Sequence, residues 1–399
     1  MKSRCISIAV SALAGLMITA PAFGNEREVN IAGFGAKSGV IRLFGMNSEA
    51  AMKAAVKAIN DSGGVKLGDG ATGKLKLTYY DDRCNAEEGI SVVRRIATTE
   101  AIVGVGPSCS NVGESVFGIL QKKVGDDSDS GLQFPIFGDV AAKVGLASIS
   151  EWSFRNIPNE MEMYKDLFTW AQKNHPELKT VYGGVEVDFA HSKSTFEAMK
   201  AQAKAHGYEL VGESEWLLND TTFSNQVRDM RRSNADIVLI SAHPVTTCGA
   251  LNEMARQNVK PKLLIGLTSS STVETLNGCG KQAEGMIIPT GFAPINDRAR
   301  QASDQISEQG GSADLHSAAS YENIFILKDV IESQGVMAKP DTVSEDRQKI
   351  RQGLAQLPET EGLLGVAART DDREAVKPYV FVQAQNGSWE MIYNPADEK

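Results

Sequence analysis

Residues 74–106 read KLKLTYYDDRCNAEEGISVVRRIATTEAIVGVG. KLKLTYYDD (74–82) reads as a strand, NAEEGISVVRRIA (85–97) as a helix, and AIVGVG (101–106) as a second strand. A strand, a helix and a strand in succession form a right-handed βαβ unit, which requires parallel pairing. The pattern extends in both directions. Upstream, VNIAGFGAKSG (29–39) is an apolar strand that breaks into a glycine-rich loop, and Met52, Ala55, Val56 and Ile59 carry a helical spacing that ends at Gly63-Gly64. Downstream come a helix around 112–123 and the strand FPIFGD (134–139).

The alternation then restarts. Strands are expected at 180–187, 208–213, 235–241 and 262–267, with helices over 193–206, 222–233 and 245–257 between them. Two series of similar length predict two similar α/β lobes, each a doubly wound parallel sheet with its own core. The 399-residue length suits two such units.

Composition narrows the function. The chain is 42% hydrophobic and 23% charged, ordinary for a soluble globular protein. Residues 1–24 have a basic start at Lys2 and Arg4, an apolar run from Ile6 to Ile18, and small residues near Ala22-Phe23-Gly24. These are the parts of a cleaved secretory signal, too short to span a membrane, so a periplasmic location is expected. Cys5 lies too early to be a lipoprotein anchor. Loss of Lys2 and Arg4 leaves 39 basic against 50 acidic residues, a net charge of about −11, which argues against a nucleic-acid partner.

Four cysteines then remain, Cys84, Cys109, Cys248 and Cys279. An oxidising compartment predicts two disulfides, with three pairings open. Sequence proximity favours Cys84 with Cys109 and Cys248 with Cys279. With no C-x-x-C present, zinc or redox chemistry is not expected of them.

The loop at 33–39 invites comparison with a phosphate-binding loop. Ala36 stands where a P-loop needs glycine, and Gly39 falls one place too far for a dinucleotide fingerprint. Its glycines are instead read as making room for a ligand. GDDSDSG (125–131) lacks a glutamate at its twelfth position, where Phe137 stands, and reads as a surface loop rather than a calcium site. No G-x-S-x-G, H-E-x-x-H or P-loop is present and the five histidines are scattered, so no enzyme, metal or cofactor is expected.

In this order the elements resemble the type I periplasmic solute-binding proteins, specifically the leucine/isoleucine/valine-binding family of ABC importers. The resemblance rests on VNIAGFGAKSGVIRLFG at the start, YYDDRCN (79–85), GVGPSCS (104–110), FPIFGDVAAKVGL (134–146), DTTFSNQVRDMRRSNADIVLI (220–240) and AEGMIIPTGF (283–292). It implies two lobes joined by three crossing segments near 147–156, 286–291 and 363–368, with a small molecule bound between them. The lobes would then comprise 25–149 plus 289–364 and 150–288 plus 365–399. It also implies the pairing of Cys84 with Cys109, whereas the pairing of Cys248 with Cys279 rests on parity alone. The YDD turn at Asp81-Asp82 is structural in the family.

The resemblance also implies a ligand site. Ser110 matches the serine that holds a ligand carboxylate at a helix N-terminus, where unpaired N–H groups and the helix dipole favour an anion. Val140, Ala142 and Thr268 match positions that hold the ammonium group of an amino acid, yet Ala142 lacks a hydroxyl and Thr268 a charge. A buried ammonium without an anion is costly. The expected cargo is therefore a carboxylate or amide with an apolar or aromatic body, unless Asp139 or Asp188 supplies the missing acid for an amino acid. Phe44, Phe189 and His243 match aromatic walls, and Arg42, on the same loop as Phe44, is a candidate carboxylate clamp. The plain alternatives are a capping serine, core phenylalanines, a surface histidine and a solvated arginine. The implied partners are the small molecule and the membrane permease of an importer, or a receptor if the protein is a sensor; the protein itself is expected to be a monomer.

Overall fold

A computed structural model of the chain describes residues 26–398. The expected signal peptide and Cys5 lie outside the described residues.

The first sheet has six strands in the spatial order Val65–Lys66, Thr72–Asp81, Arg27–Gly35, Val103–Val105, Ile136–Gly138 and Ser153–Arg155. All pairings are parallel except that of the short edge strand Val65–Lys66. The second sheet has seven, in the order Ser388–Tyr393, Val380–Gln385, Ile287–Thr290, Leu263–Gly266, Ile237–Ser241, Thr180–Glu186 and Glu209–Trp216. Its last two chain segments pair antiparallel and the rest parallel. This is the expected two-lobed α/β architecture, extended by a small three-stranded sheet near the crossings.

Burial follows the period of two that a strand imposes. Val29 and Ile31 enter one core cluster while Ala32 and Phe34 enter another across the same sheet. In the second lobe Val238 and Ile240 pack on one face, and Ile237 and Leu239 on the other. Both faces of both sheets are covered by helices, which is why the strands read as near-continuous apolar runs. The quoted βαβ unit is locally well specified. Asn85 caps the helix Ala86–Ala97, its Oδ1 accepting from the N–H groups of Glu87 and Glu88 at 2.9 and 3.0 Å. Acidic residues fill the first turn and Arg94 and Arg95 the last, complementing the dipole.

Two expected elements shift. The helix expected over 112–123 runs Ser110–Gly118. The first helix begins at Arg42, so Arg42 and Phe44 sit on its first turn rather than on a loop. Gly39 turns the chain at φ 84°, and Gly45 lets that turn press against the preceding loop. A Cβ at Gly45 would lie 2.2 Å from the Ala36 carbonyl oxygen. Gly45 thus permits a close approach of two backbones. The strand glycine Gly35 also makes room for protein rather than ligand, since a Cβ there would meet Ser108 Oγ at 2.1 Å.

Two strands lie within the first two expected crossing windows. Ser153–Arg155 still pairs within the first sheet, and Ile287–Thr290 within the second. Around these passages Glu322 accepts hydrogen bonds from Asn156 and Leu363 and pairs with Lys377, while Arg369 donates to Asn156 at 3.0 Å. Asn156, Glu322, Leu363, Arg369 and Lys377 are thus tied to one another by polar contacts.

Both disulfides form, Cys84–Cys109 and Cys248–Cys279. The first fastens the turn after Thr72–Asp81 to the residue preceding the helix Ser110–Gly118.

Candidate functional site

Open α/β sheets bind ligands beyond the carboxyl ends of their strands, where neighbouring connections leave in opposite directions. In the first sheet that point lies between Arg27–Gly35 and Val103–Val105; in the second it lies between Thr180–Glu186 and Ile237–Ser241. The residues following these four strands meet across the cleft.

From the first lobe comes the start of helix Ser110–Gly118. Its N-cap, Cys109, makes no side-chain cap bond. Ser110 is buried and its Oγ accepts from the Lys143 N–H at 3.1 Å, leaving its own O–H to donate elsewhere. Ile41, Phe44, Ser108, Val140, Ala142 and His316 complete this side. The second lobe contributes Phe189, His191, His243 and Ser269. Phe44 bridges the two, its ring centroid 4.8 Å from that of His316 and 6.0 Å from that of His243. Phe189 meets His243 edge-on at 4.7 Å. The space these groups enclose is about 10 Å³, barely enough to admit one water, so a ligand must part the rings to enter.

Behind the imidazoles lie two buried carboxylates. Glu186, 0% exposed at the end of its strand, accepts from His243 Nδ1 and Thr246 Oγ1, both at 2.6 Å. Glu160 accepts from His191 Nε2 at 2.8 Å and from the hydroxyls of Thr195 and Thr268. Burial pushes each carboxyl up. The histidine charge beside it and the hydrogen bonds outweigh burial and hold both below the ordinary range. His316 is different: burial, reinforced by the charges of His191 and His243, pushes its imidazole down to about 3. It is therefore neutral at physiological pH.

Residues 28–388 match the family described as Periplasmic binding protein. The chain belongs to that family. The Leu/Ile/Val-binding protein homolog 7 of Brucella melitensis biotype 1 is 23% identical over 275 residues, covering 67% of this chain and 64% of that protein. The match thus spans less than two thirds of that relative's length. Among solved structures, the leucine-binding protein LivK of Thermotoga maritima superimposes with a TM-score of 0.78 at 18% identity, covering 92% of this chain and 99% of that one. A solute-binding protein of an ABC transporter from R. palustris, in complex with 4-hydroxybenzoate, gives 0.77 at 17% identity, with 92% and 96% covered.

In this periplasmic binding protein the structure gathers Phe44, Ser110, Val140, Ala142, Phe189 and His243 around one space. It leaves two of the expected residues out. Arg42 is exposed, because two positions along a helix are about 200° apart and Phe44 faces the cleft. Thr268 turns its hydroxyl into Glu160. The two candidate replacement acids are also elsewhere. Asp188 is exposed and accepts from the Leu218 N–H at 2.9 Å. Asp139 lies behind the lining, accepting from Ser48 at 2.8 Å and Ser320 at 2.7 Å, with burial raising it to about 6.

Sequence reasoning missed His191, His316, Glu160, Glu186 and Ser269. Glu186 ends a strand that pairs with the one leading to His243, and its place at a strand end beside the cleft was the signal available. His316 sits inside the capping box Asp314 to Ser317, two residues after the cap, a D-x-x-S signature ahead of an apolar run.

Proposed function

We propose that this protein is the periplasmic substrate-binding component of an ABC importer and carries a small organic acid with an apolar or aromatic body. One observation carries the choice of cargo: the anion-favouring start of helix Ser110–Gly118 faces the cleft, while both nearby carboxylates are already engaged by histidine and threonine donors. An ammonium group would have to displace those donors, whereas a carboxylate meets Ser110 O–H and first-turn N–H groups directly. Phe44 and Phe189 wall the body of the ligand. Parting their rings lets the cargo contact both lobes at once, and such differential contact stabilises a closed state. The closed form would dock on the permease after export through the signal at 1–24. The 4-hydroxybenzoate complex of the R. palustris protein supports the acid reading.

The names of the Brucella and Thermotoga relatives favour a second reading, an aliphatic amino acid. On that reading Glu160 or Glu186 would give up its histidine to pair with the ammonium.

Calorimetric titration separates the two. Carboxylates should bind and their primary amides bind more weakly, and Ser110→Ala should lose about 1.5–3 kcal/mol of carboxylate affinity, roughly tenfold to a hundredfold. Leucine binding, with no binding of acids that lack the α-ammonium, would replace the acid reading by the amino-acid one.

A further inference from the structure

Two polar side chains that line the cleft have no hydrogen-bond partner among the described residues. Both ring nitrogens of His316, 1% exposed, and Ser269 Oγ, also 1% exposed, are unpaired. They come from different lobes: His316 from the helix Leu315–Ser333, which packs against Arg42–Asp61, and Ser269 from the turn after Leu263–Gly266. Neither can swing away to water. The Asp314 carboxylate fixes the backbone of His316, accepting from its N–H at 2.9 Å, and the Phe44 ring lies 4.8 Å from the imidazole. Ser269 lies in the short helical turn Thr268–Ser270, where both neighbours spend their hydroxyls on other groups, Thr268 on Glu160 and Ser270 on the Ala242 carbonyl.

Unpaired buried polar groups are costly, and ones aimed into a ligand cleft are satisfied by what the ligand brings. We propose that His316 and Ser269 form a second polar subsite that reads a hydroxyl group on the cargo, so that the protein selects hydroxylated organic acids over their unsubstituted counterparts. This rests on the anion reading of Ser110. A neutral imidazole offers one donor and one acceptor, and a serine hydroxyl offers both. A ligand hydroxyl, which gives one hydrogen bond and takes others, matches that pair. A second carboxylate would bury a further negative charge near Glu160 and Glu186 with no cation to offset it. An ammonium would find no uncommitted anion here. An aliphatic or unsubstituted aromatic surface would leave both groups orphaned in the closed state.

A site built to hydrogen-bond a hydroxyl rejects the analogue lacking it strongly, because its own groups are then left unpaired. The test is calorimetric titration of the full mature protein with matched pairs: benzoate against 3- and 4-hydroxybenzoate, and 4-methylpentanoate against its 2-hydroxy derivative. At least one hydroxylated member should bind about tenfold or more tightly than its partner, and His316→Leu and Ser269→Ala should each bring that ratio down to about threefold or less. Because Ser269→Ala removes a single buried oxygen, it keeps the test valid if His316→Leu folds poorly. Equal affinity across every pair, or a preference that survives in Ser269→Ala and in folded His316→Leu, would overturn the subsite while leaving the acid reading in place. Failure of all these acids to bind would instead overturn the acid reading and the subsite with it.

Discussion

Replacing His243 by leucine is expected to remove about 3 kcal/mol of stability at pH 7, the cost of leaving the buried Glu186 carboxylate without its imidazole donor. Glu186 is 0% exposed and receives three contacts, two from His243 and one from Thr246. Leucine keeps the backbone N–H contact at 3.4 Å but removes the imidazole that hydrogen-bonds the carboxylate. The pH dependence has a definite sign. In the intact protein Glu186 titrates below its ordinary value, so its pairing stabilises the fold above about pH 4.5 and is lost as pH falls through the folded-state value. In His243→Leu the carboxyl is left with burial as its dominant influence, and the deficit should shrink on acidification as the group takes up a proton. Urea unfolding at pH 7 and pH 5 measures both effects. The double replacement His243→Leu with Glu186→Leu removes the stranded charge and should recover much of the loss. A double variant as unstable as the sum of its single variants would show that the pair is not coupled.

The second large effect belongs to His316. Its imidazole is held at about 3 in the folded protein, against about 6.5 in an unfolded chain, by burial and by the charges of His191 and His243, with Glu160 opposing them. The unfolded state therefore binds the proton first, and the ligand-free protein loses stability as pH falls below about 6.5, by about 5 kcal/mol in the limit near pH 3. Asp139 and Asp82 work in the other direction. Burial raises them to about 6 and about 7, so the folded state takes up their protons first and gains stability over that range. The raw pH profile mixes these opposing contributions; the difference between wild type and His316→Gln isolates the histidine. From pH 7 to pH 4.5 the variant should gain about 3 kcal/mol relative to wild type, measured by urea unfolding at each pH. A difference that stays constant with pH would mean that His316 is protonated or solvated in the folded state.

The architecture was legible because strand and helix periods alternate without interruption, and because parallel strands covered on both faces read as apolar runs. Ile237–Ser241 and Val103–Val105 are of that kind. The structure gathers residues where one short segment fixes both backbone and side chain: Ser110 follows a cysteine tied by a disulfide, and Phe189 and His243 come within three residues of strand ends. Legibility failed where position depends on a helix phase or a distant partner. Arg42 and Phe44 are separated by one residue, yet a helix begun at Arg42 turns them to opposite sides. Thr268 stands in the expected turn, but Glu160, 108 residues earlier in the chain, takes its hydroxyl. No local pattern announces that contact. The two histidine–carboxylate pairs were hidden for the same reason: each joins residues whose separation reflects βαβ crossovers, 57 positions for His243 with Glu186 and 31 for His191 with Glu160.

The central claim is that the cleft accepts an anion at Ser110 and has no uncommitted acid for an ammonium. Thermal unfolding of the mature protein against a panel of small organic acids and the matching α-amino acids tests it most directly, since a ligand that binds only the folded state raises the melting temperature by mass action. An acid with an apolar or aromatic body should raise it, by about 2.7 kcal/mol of stability at a hundredfold excess over Kd, while the α-amino acid of the same side chain leaves it unchanged. A shift with leucine, isoleucine or valine and none with any of the acids would contradict the account.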